Sequence, residues 1–82
     1  MTQVRYWAAA KEAAGVNADQ VTASFLDAAL TQVKARHGER FSTVLTTCSF
    51  IVDGDPVGGR DHATIALADD SLVDVLPPFA VG

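Results

Sequence analysis

Few side chains in this chain are equipped for chemistry, and the stretch with an unusual design is its end. There is one cysteine, Cys48, and two histidines, His37 and His62. A lone cysteine at the apolar edge of a helical turn reads as a small core residue rather than a reactive thiol. The histidines are far apart and lack ligand spacing, so a helix end and a loop are their expected homes and no metal site is implied. Gly58-Gly59 falls where a loop needs glycine. The end is different. In Asp74-Val75-Leu76-Pro77-Pro78-Phe79-Ala80-Val81-Gly82 a strand-like run breaks at two prolines into a short apolar tail. Pro77 and Pro78 have no N–H to donate to a sheet ladder and fix φ, so the ladder stops there and residues 77–82 are expected to form a flexible tail. Phe79 has no core within reach and is expected to anchor on a partner, with Ala80 and Val81 beside it. Gly82 closes the tail without a Cβ, a design suited to a narrow channel.

The elements that must carry this tail follow from periodicity. Gln3 to Trp7 alternates as a strand, Val4 and Tyr6 on one face and Arg5 and Trp7 on the other. Ala8 to Ala14 favours a short helix that Gly15 ends in the left-handed conformation. Asn17-Ala18-Asp19 is expected as a turn and Gln20 to Ala23 as a second strand. Ser24 reads as a helix cap, with Asp27 in the first turn. Leu26, Ala29, Leu30 and Val33 then recur at helical spacing up to His37, with Gly38 beyond, which makes this the main helix. Phe41 to Cys48 is expected to add a helical turn. Ser49 to Val52 reads as strand, Asp53 to Pro56 as turn, Val57 to His62 as loop, Thr64 to Leu67 as a short strand or extended piece and Leu72 to Leu76 as the last strand. An unpaired buried carboxylate is costly, so Asp74 faces outward with Leu72 and Leu76, and Val73 and Val75 face the helix.

Composition limits what such a chain can be. Its 82 residues give one domain with one modest core. The single cysteine, the lack of a signal peptide and the lack of a membrane-length apolar run lead to the expectation of a cytoplasmic protein without membrane partners. A net charge of −4 argues against nucleic acid, whose phosphates would repel it. Hydrophobic residues make up 49% of the chain, enough to leave some apolar surface for a partner.

Val4-Arg5-Tyr6-Trp7-Ala8-Ala9-Ala10-Lys11-Glu12-Ala13-Ala14-Gly15, Phe50-Ile51-Val52-Asp53-Gly54, Asp69-Asp70-Ser71 and Asp74-Val75-Leu76-Pro77-Pro78-Phe79 together resemble the ubiquitin-like sulfur carriers, most closely the small subunit of molybdopterin synthase. The likeness spans nearly the whole chain. It departs at the last step: the family ends in Gly-Gly, whereas Val81-Gly82 stands here, so either a further glycine follows Gly82, the preferred expectation, or the protein carries an unusual penultimate Val. From residues alone the fold is α+β, one sheet against one helix. The resemblance implies a β-grasp, a mixed sheet wrapped on one main helix with a short extra helix, its first and last strands parallel at the centre. Residues 1–82 would then be a single sulfur-carrier domain.

The same resemblance implies a function centred on the carboxylate of Gly82. An E1-like adenylating enzyme would use ATP to form an acyl-adenylate there, and a sulfur donor protein would convert it to a thiocarboxylate. The thiocarboxylate would give its sulfur to cyclic pyranopterin monophosphate in molybdenum cofactor biosynthesis. Catalytic groups are expected on the large subunit of molybdopterin synthase, and no cofactor is expected on this chain. Arg5, Trp7, Leu72 and Leu76, with Pro77, Pro78, Phe79, Ala80 and Val81, are the expected partner-binding residues. Sulfur carriage for thiamine or cysteine synthesis, and a ubiquitin-like interaction module without sulfur chemistry, are the alternatives.

Overall fold

A computed structural model of the chain describes residues 1–78; the expected roles of Phe79, Ala80, Val81 and Gly82 lie outside the described residues. The elements in order are β1 (Thr2–Tyr6), α1 (Ala8–Ala14), β2 (Ala18–Val21), α2 (Leu26–Leu45), β3 (Ser49–Val52), β4 (Asp55–Pro56), a 3-10 turn (His62–Thr64) and β5 (Leu72–Leu76). The strands form one sheet in the order β2-β1-β5-β3-β4. β1 and β5 run parallel side by side, and every other pairing is antiparallel. This is a β-grasp, with the first and last strands central as expected.

Alternation decides which side of the sheet meets α2. Val4 and Tyr6 of β1, Val73 and Val75 of β5, and Phe50 and Val52 of β3 are buried. They meet Leu26, Ala29, Leu30, Val33, Phe41 and Leu45, which fall on one side of α2. At Gly38 the backbone leaves the helical region, at φ 83° and ψ −167°, so α2 is two helical segments with a break where glycine tolerates a positive φ. The second segment realises the helical turn expected from Phe41. Its end is fixed by the Thr46 and Thr47 hydroxyls donating to the carbonyls of Thr43 and Val44 at 2.7 and 2.8 Å. No helix of the described residues is long and apolar enough to cross a membrane.

Several local expectations are corrected. Asn17-Ala18-Asp19 is not the turn: the bend lies at Gly15-Val16-Asn17, and Ala18 and Asp19 already pair with Arg5 and Val4, moving β2 upstream of the expected Gln20 start. Gly15 at φ 77° ends α1 early enough for Asn17 to accept from the Tyr6 N–H at 2.9 Å. Ser24 does not cap α2. The cap position is Phe25 without a side-chain bond, and the free Leu26 N–H donates to the Ile65 carbonyl at 2.9 Å, a tertiary partner in place of the local one. Of Thr64 to Leu67, Thr64 closes the 3-10 turn and Ile65 begins an extended piece whose one bridge runs from Ala66 to Phe25. Within Asp53 to Pro56, only Asp53 and Gly54 turn, both at positive φ, while Asp55 and Pro56 pair with β3.

Candidate partner-binding face

The side of the sheet turned away from α2 carries the expected binding residues, and strand register brings them into rows. Arg5 lies opposite Asp74, and Asp74 opposite Ile51, so one row crosses the three central strands. Leu72 pairs with Gln3 in the next row, and Leu76 with Ser49 near the end where β5 runs into Pro77 and Pro78. Leu72, Leu76 and Pro77 are half-buried and Pro78 is exposed. Ile51, half-buried in the Asp74 row, was not among the expected residues. The signal was present, since Phe50 and Val52 face inward and Ile51 between them must face out.

Asp74 organises the centre of this face. Its Oδ1 accepts from Arg5 Nε at 2.9 Å and from Trp7 Nε1 at 3.0 Å, and its Oδ2 accepts from an Arg5 terminal nitrogen at 3.3 Å. Burial alone would push the Asp74 carboxyl up, but the hydrogen bonds from Arg5 and Trp7 and the Arg5 charge together outweigh it and hold the group below the ordinary range. The Arg5 guanidinium carbon stands 5.4 Å from the centre of the Trp7 ring, within cation–π range. Trp7 is thus fixed at one end by its indole N–H and along one face by Arg5, yet remains 46% exposed. Its backbone N–H donates to Val75 at 3.2 Å, and Ala8 then turns the chain into α1 at φ 49°. That left-handed position costs a residue with a Cβ roughly 1–2 kcal/mol, so the contacts around Trp7 hold a bend the backbone does not favour.

The remaining candidates are elsewhere. Cys48 is half-buried, donates to the Val44 carbonyl at 3.3 Å, and has its thiol pKa pushed up by burial, which keeps it in the unreactive form. Gly58 and Gly59 sit in the loop after Val57. Among the described residues no group of three His, Cys, Asp or Glu side chains could hold a metal ion. His62 is in the 3-10 turn, whereas His37 does more than occupy a helix end. Its Nε2 meets Asp19 Oδ2, which also accepts from the Tyr6 hydroxyl at 2.7 Å, and Arg36 approaches Asp19 Oδ1 at 3.4 Å. Neither the pairing nor Asp19 was anticipated. An ionised Asp19 can only accept, so the shared oxygen implies a proton on His37 Nε2.

Against known proteins, no protein-family model matches this chain and no curated protein matches its sequence. Solved structures do match. The small archaeal modifier protein 1 of Methanosarcina acetivorans superposes with a TM-score of 0.85 at 16% identity, over 99% of this chain and 95% of that one. A chain of the BexX/CysO complex of Amycolatopsis orientalis gives 0.82 at 13% identity over 100% of both. A chain of the complex of subunits 1 and 2 of the molybdopterin-converting factor of Helicobacter pylori gives 0.73 at 20% identity, over 99% and 97%. These likenesses agree with the β-grasp fold.

Proposed function

We propose that this chain is a sulfur carrier and serves as the small subunit of molybdopterin synthase. The observation that carries the reading is the placement of β5. The last strand lies at the sheet centre, ends at Leu76 beside the outer face of Arg5, Trp7 and Asp74, and meets two prolines that prevent the ladder from continuing. A partner gripping that face would have the exit of the tail within the same footprint. The solved complexes named above, in which β-grasp chains occur with protein partners, support a protein as the occupant.

The chemistry would take place on the Gly82 carboxylate. A carboxylate is a poor acyl donor, because its charge repels nucleophiles and its oxygen is a bad leaving group. Attack of one carboxylate oxygen on the α-phosphorus of ATP, bound by an E1-like enzyme, would release pyrophosphate and leave an acyl-adenylate. A persulfide sulfur on a donor protein would then attack the acyl carbon and expel AMP. Reduction of the resulting sulfur–sulfur bond by a thiol would leave the thiocarboxylate. The large subunit would supply the acid and base groups for transfer to the pyranopterin precursor. This chain would contribute delivery, holding the sulfur at high local concentration and in a fixed approach.

A second reading keeps the chemistry and changes the acceptor, as in cysteine synthesis. What supports it is the likeness to a chain of the BexX/CysO complex, whose partner is not a subunit of a molybdopterin-converting factor. Intact mass spectrometry after incubation with the E1-like enzyme, ATP and a sulfur donor tests the shared step: one oxygen-for-sulfur exchange at the C-terminus is expected. An unchanged mass leaves only an interaction module. Deleting Gly82 and any residue after it should abolish the exchange while preserving the fold. Conversion of cyclic pyranopterin monophosphate when the large subunit is added then separates the first reading from the second.

A further inference from the structure

The tail and the outer sheet face do not account for every concave feature of the described residues. A cavity of about 340 Å³ lies between α2, the start of β3 and the loop before the 3-10 turn. Leu30, Leu45 and Phe50 give it apolar walls, and Lys34 and His62 are the lining residues able to carry positive charge. No Asp or Glu lines it, in a chain where acidic residues outnumber Lys and Arg by 10 to 6. The other thiol and hydroxyl donors are largely committed: Cys48 donates to Val44 and Thr46 to Thr43.

Lys34 is uncommitted. It forms no ion pair among the described residues, and the residues three and four positions away on α2, Leu30, Thr31, His37 and Gly38, include no acid to pair with it. His62 is held edge-on to Phe50, with ring centres 5.2 Å apart and planes at 89°, so its orientation is fixed by an apolar contact. Its ring nitrogens have no hydrogen-bond partner among the described residues. The cavity therefore pairs an apolar floor with unspent cationic and donor groups, the general make-up of a small-ligand site.

We propose that this cavity binds a small organic anion, its phosphate or carboxylate head held by Lys34 and His62 and its apolar body lying against Leu30, Leu45 and Phe50. The volume falls at the low end of the roughly 300–1,000 Å³ common for ligand pockets, which limits the body to a single ring or short chain. The site does not depend on the carrier reading, because it uses neither the tail nor the outer face.

Phenyl phosphate titrated into the full chain and followed by amide NMR tests it. Saturable shifts at Ser49, Phe50, Gly58 and His62 are expected, with a Kd of about 1 mM or tighter. Phenol, the same ring without the charge, should bind about tenfold more weakly. Lys34 is exposed, so Lys34→Gln should keep the melting temperature while weakening phenyl phosphate by about tenfold. The proposal is overturned by the absence of saturable shifts, by equal binding of phenol, by unchanged affinity in Lys34→Gln, or by shifts centred on Arg36 and Arg40 instead of the cavity.

Discussion

Asp19 and Asp74 are almost equally shielded, with side-chain exposures of 16% and 17%, and each accepts hydrogen bonds from two side chains of quite different kinds. What separates them is the company they keep. Around Asp19 stand the buried Tyr6, edge to face with Phe41, and a His37 side chain 13% exposed and tilted against the same ring, with the exposed Arg36 approaching from the rim. Around Asp74 stand Arg5, 41% exposed, and Trp7. β1 supplies both clusters from neighbouring positions, Tyr6 to the helix side and Arg5 to the open side, because successive strand residues face opposite ways. The same acceptor therefore ties β1 and β2 to the break in α2 on one face and presents an aromatic ring to solvent on the other. Shielding of a carboxylate does not reveal its role; the exposure of the side chains hydrogen-bonded to it, Tyr6 and His37 against Arg5 and Trp7, does.

The largest expected effect that would sharpen this contrast is Asp19→Ala. It strips the Tyr6 hydroxyl and the His37 ring of their partner in a confined site, and the cost should be about 2–4 kcal/mol of folding stability. Urea denaturation measures it. Asp74→Ala, whose donors can turn to water, should cost less, and the reverse order would break the comparison.

How far each cluster could be read from the sequence follows from the same difference. Arg5, Trp7 and Asp74 were legible as neighbours on an outer face, since alternation sets their direction and the cost of burying a carboxylate turns Asp74 outward. Their bonding was not legible, because it depends on the Arg5–Asp74 register. The Asp19 cluster was missed altogether. Its members are 13 and 18 residues apart, and they meet only because β2 starts at Ala18 and α2 breaks at Gly38. Local signals placed Asp19 in a turn and His37 at a helix end. The Ser24 cap failed for a related reason, its task being done by Ile65 from a distant loop.

Next in size is Trp7→Ala. If the outer face is the partner's seat, affinity for the large subunit or the E1-like enzyme should fall by about 1–3 kcal/mol, measured by titration calorimetry. The melting temperature should move little, because the exposed indole covers no core. A large drop in melting temperature with unchanged affinity would assign Trp7 to the Asp19 kind of site.

Acid stability tests both clusters together, with a smaller effect from each. Burial raises the Asp19 carboxyl, but hydrogen bonds from His37 and Tyr6 and the charges of His37 and Arg36 outweigh it, so its pKa is lowered, as that of Asp74 is. A carboxyl lowered in the folded state binds fewer protons there than when unfolded. Its stabilisation is therefore complete above the ordinary carboxylate range, near pH 4, and is lost as pH falls through the folded value. Stability measured between neutral pH and acid should decline through that window. Asp19→Asn and Asp74→Asn should each flatten the decline; a slope unchanged in both would remove the electrostatic account of the two sites.

The smallest expected change in stability belongs to Asp74→Asn, and it isolates recognition most cleanly. The amide oxygen can still accept from Trp7 Nε1 or Arg5 Nε, but the charge that holds the guanidinium is gone and the amide nitrogen cannot accept the second Arg5 bond. Because Arg5 is well exposed, water replaces what it loses, and folding stability should change by about 1 kcal/mol or less. The ring is affected differently. Trp7 loses an ionised acceptor for its N–H and a pinned cation over its face, so the indole should sample more orientations. Fluorescence anisotropy and quenching of this single tryptophan report that directly. Greater quencher access and weaker partner binding at nearly constant stability would mark Asp74 as a positioning residue for Trp7. A stability loss as large as that of Asp19→Ala, with the tryptophan signal unchanged, would show that both aspartates serve the fold alone.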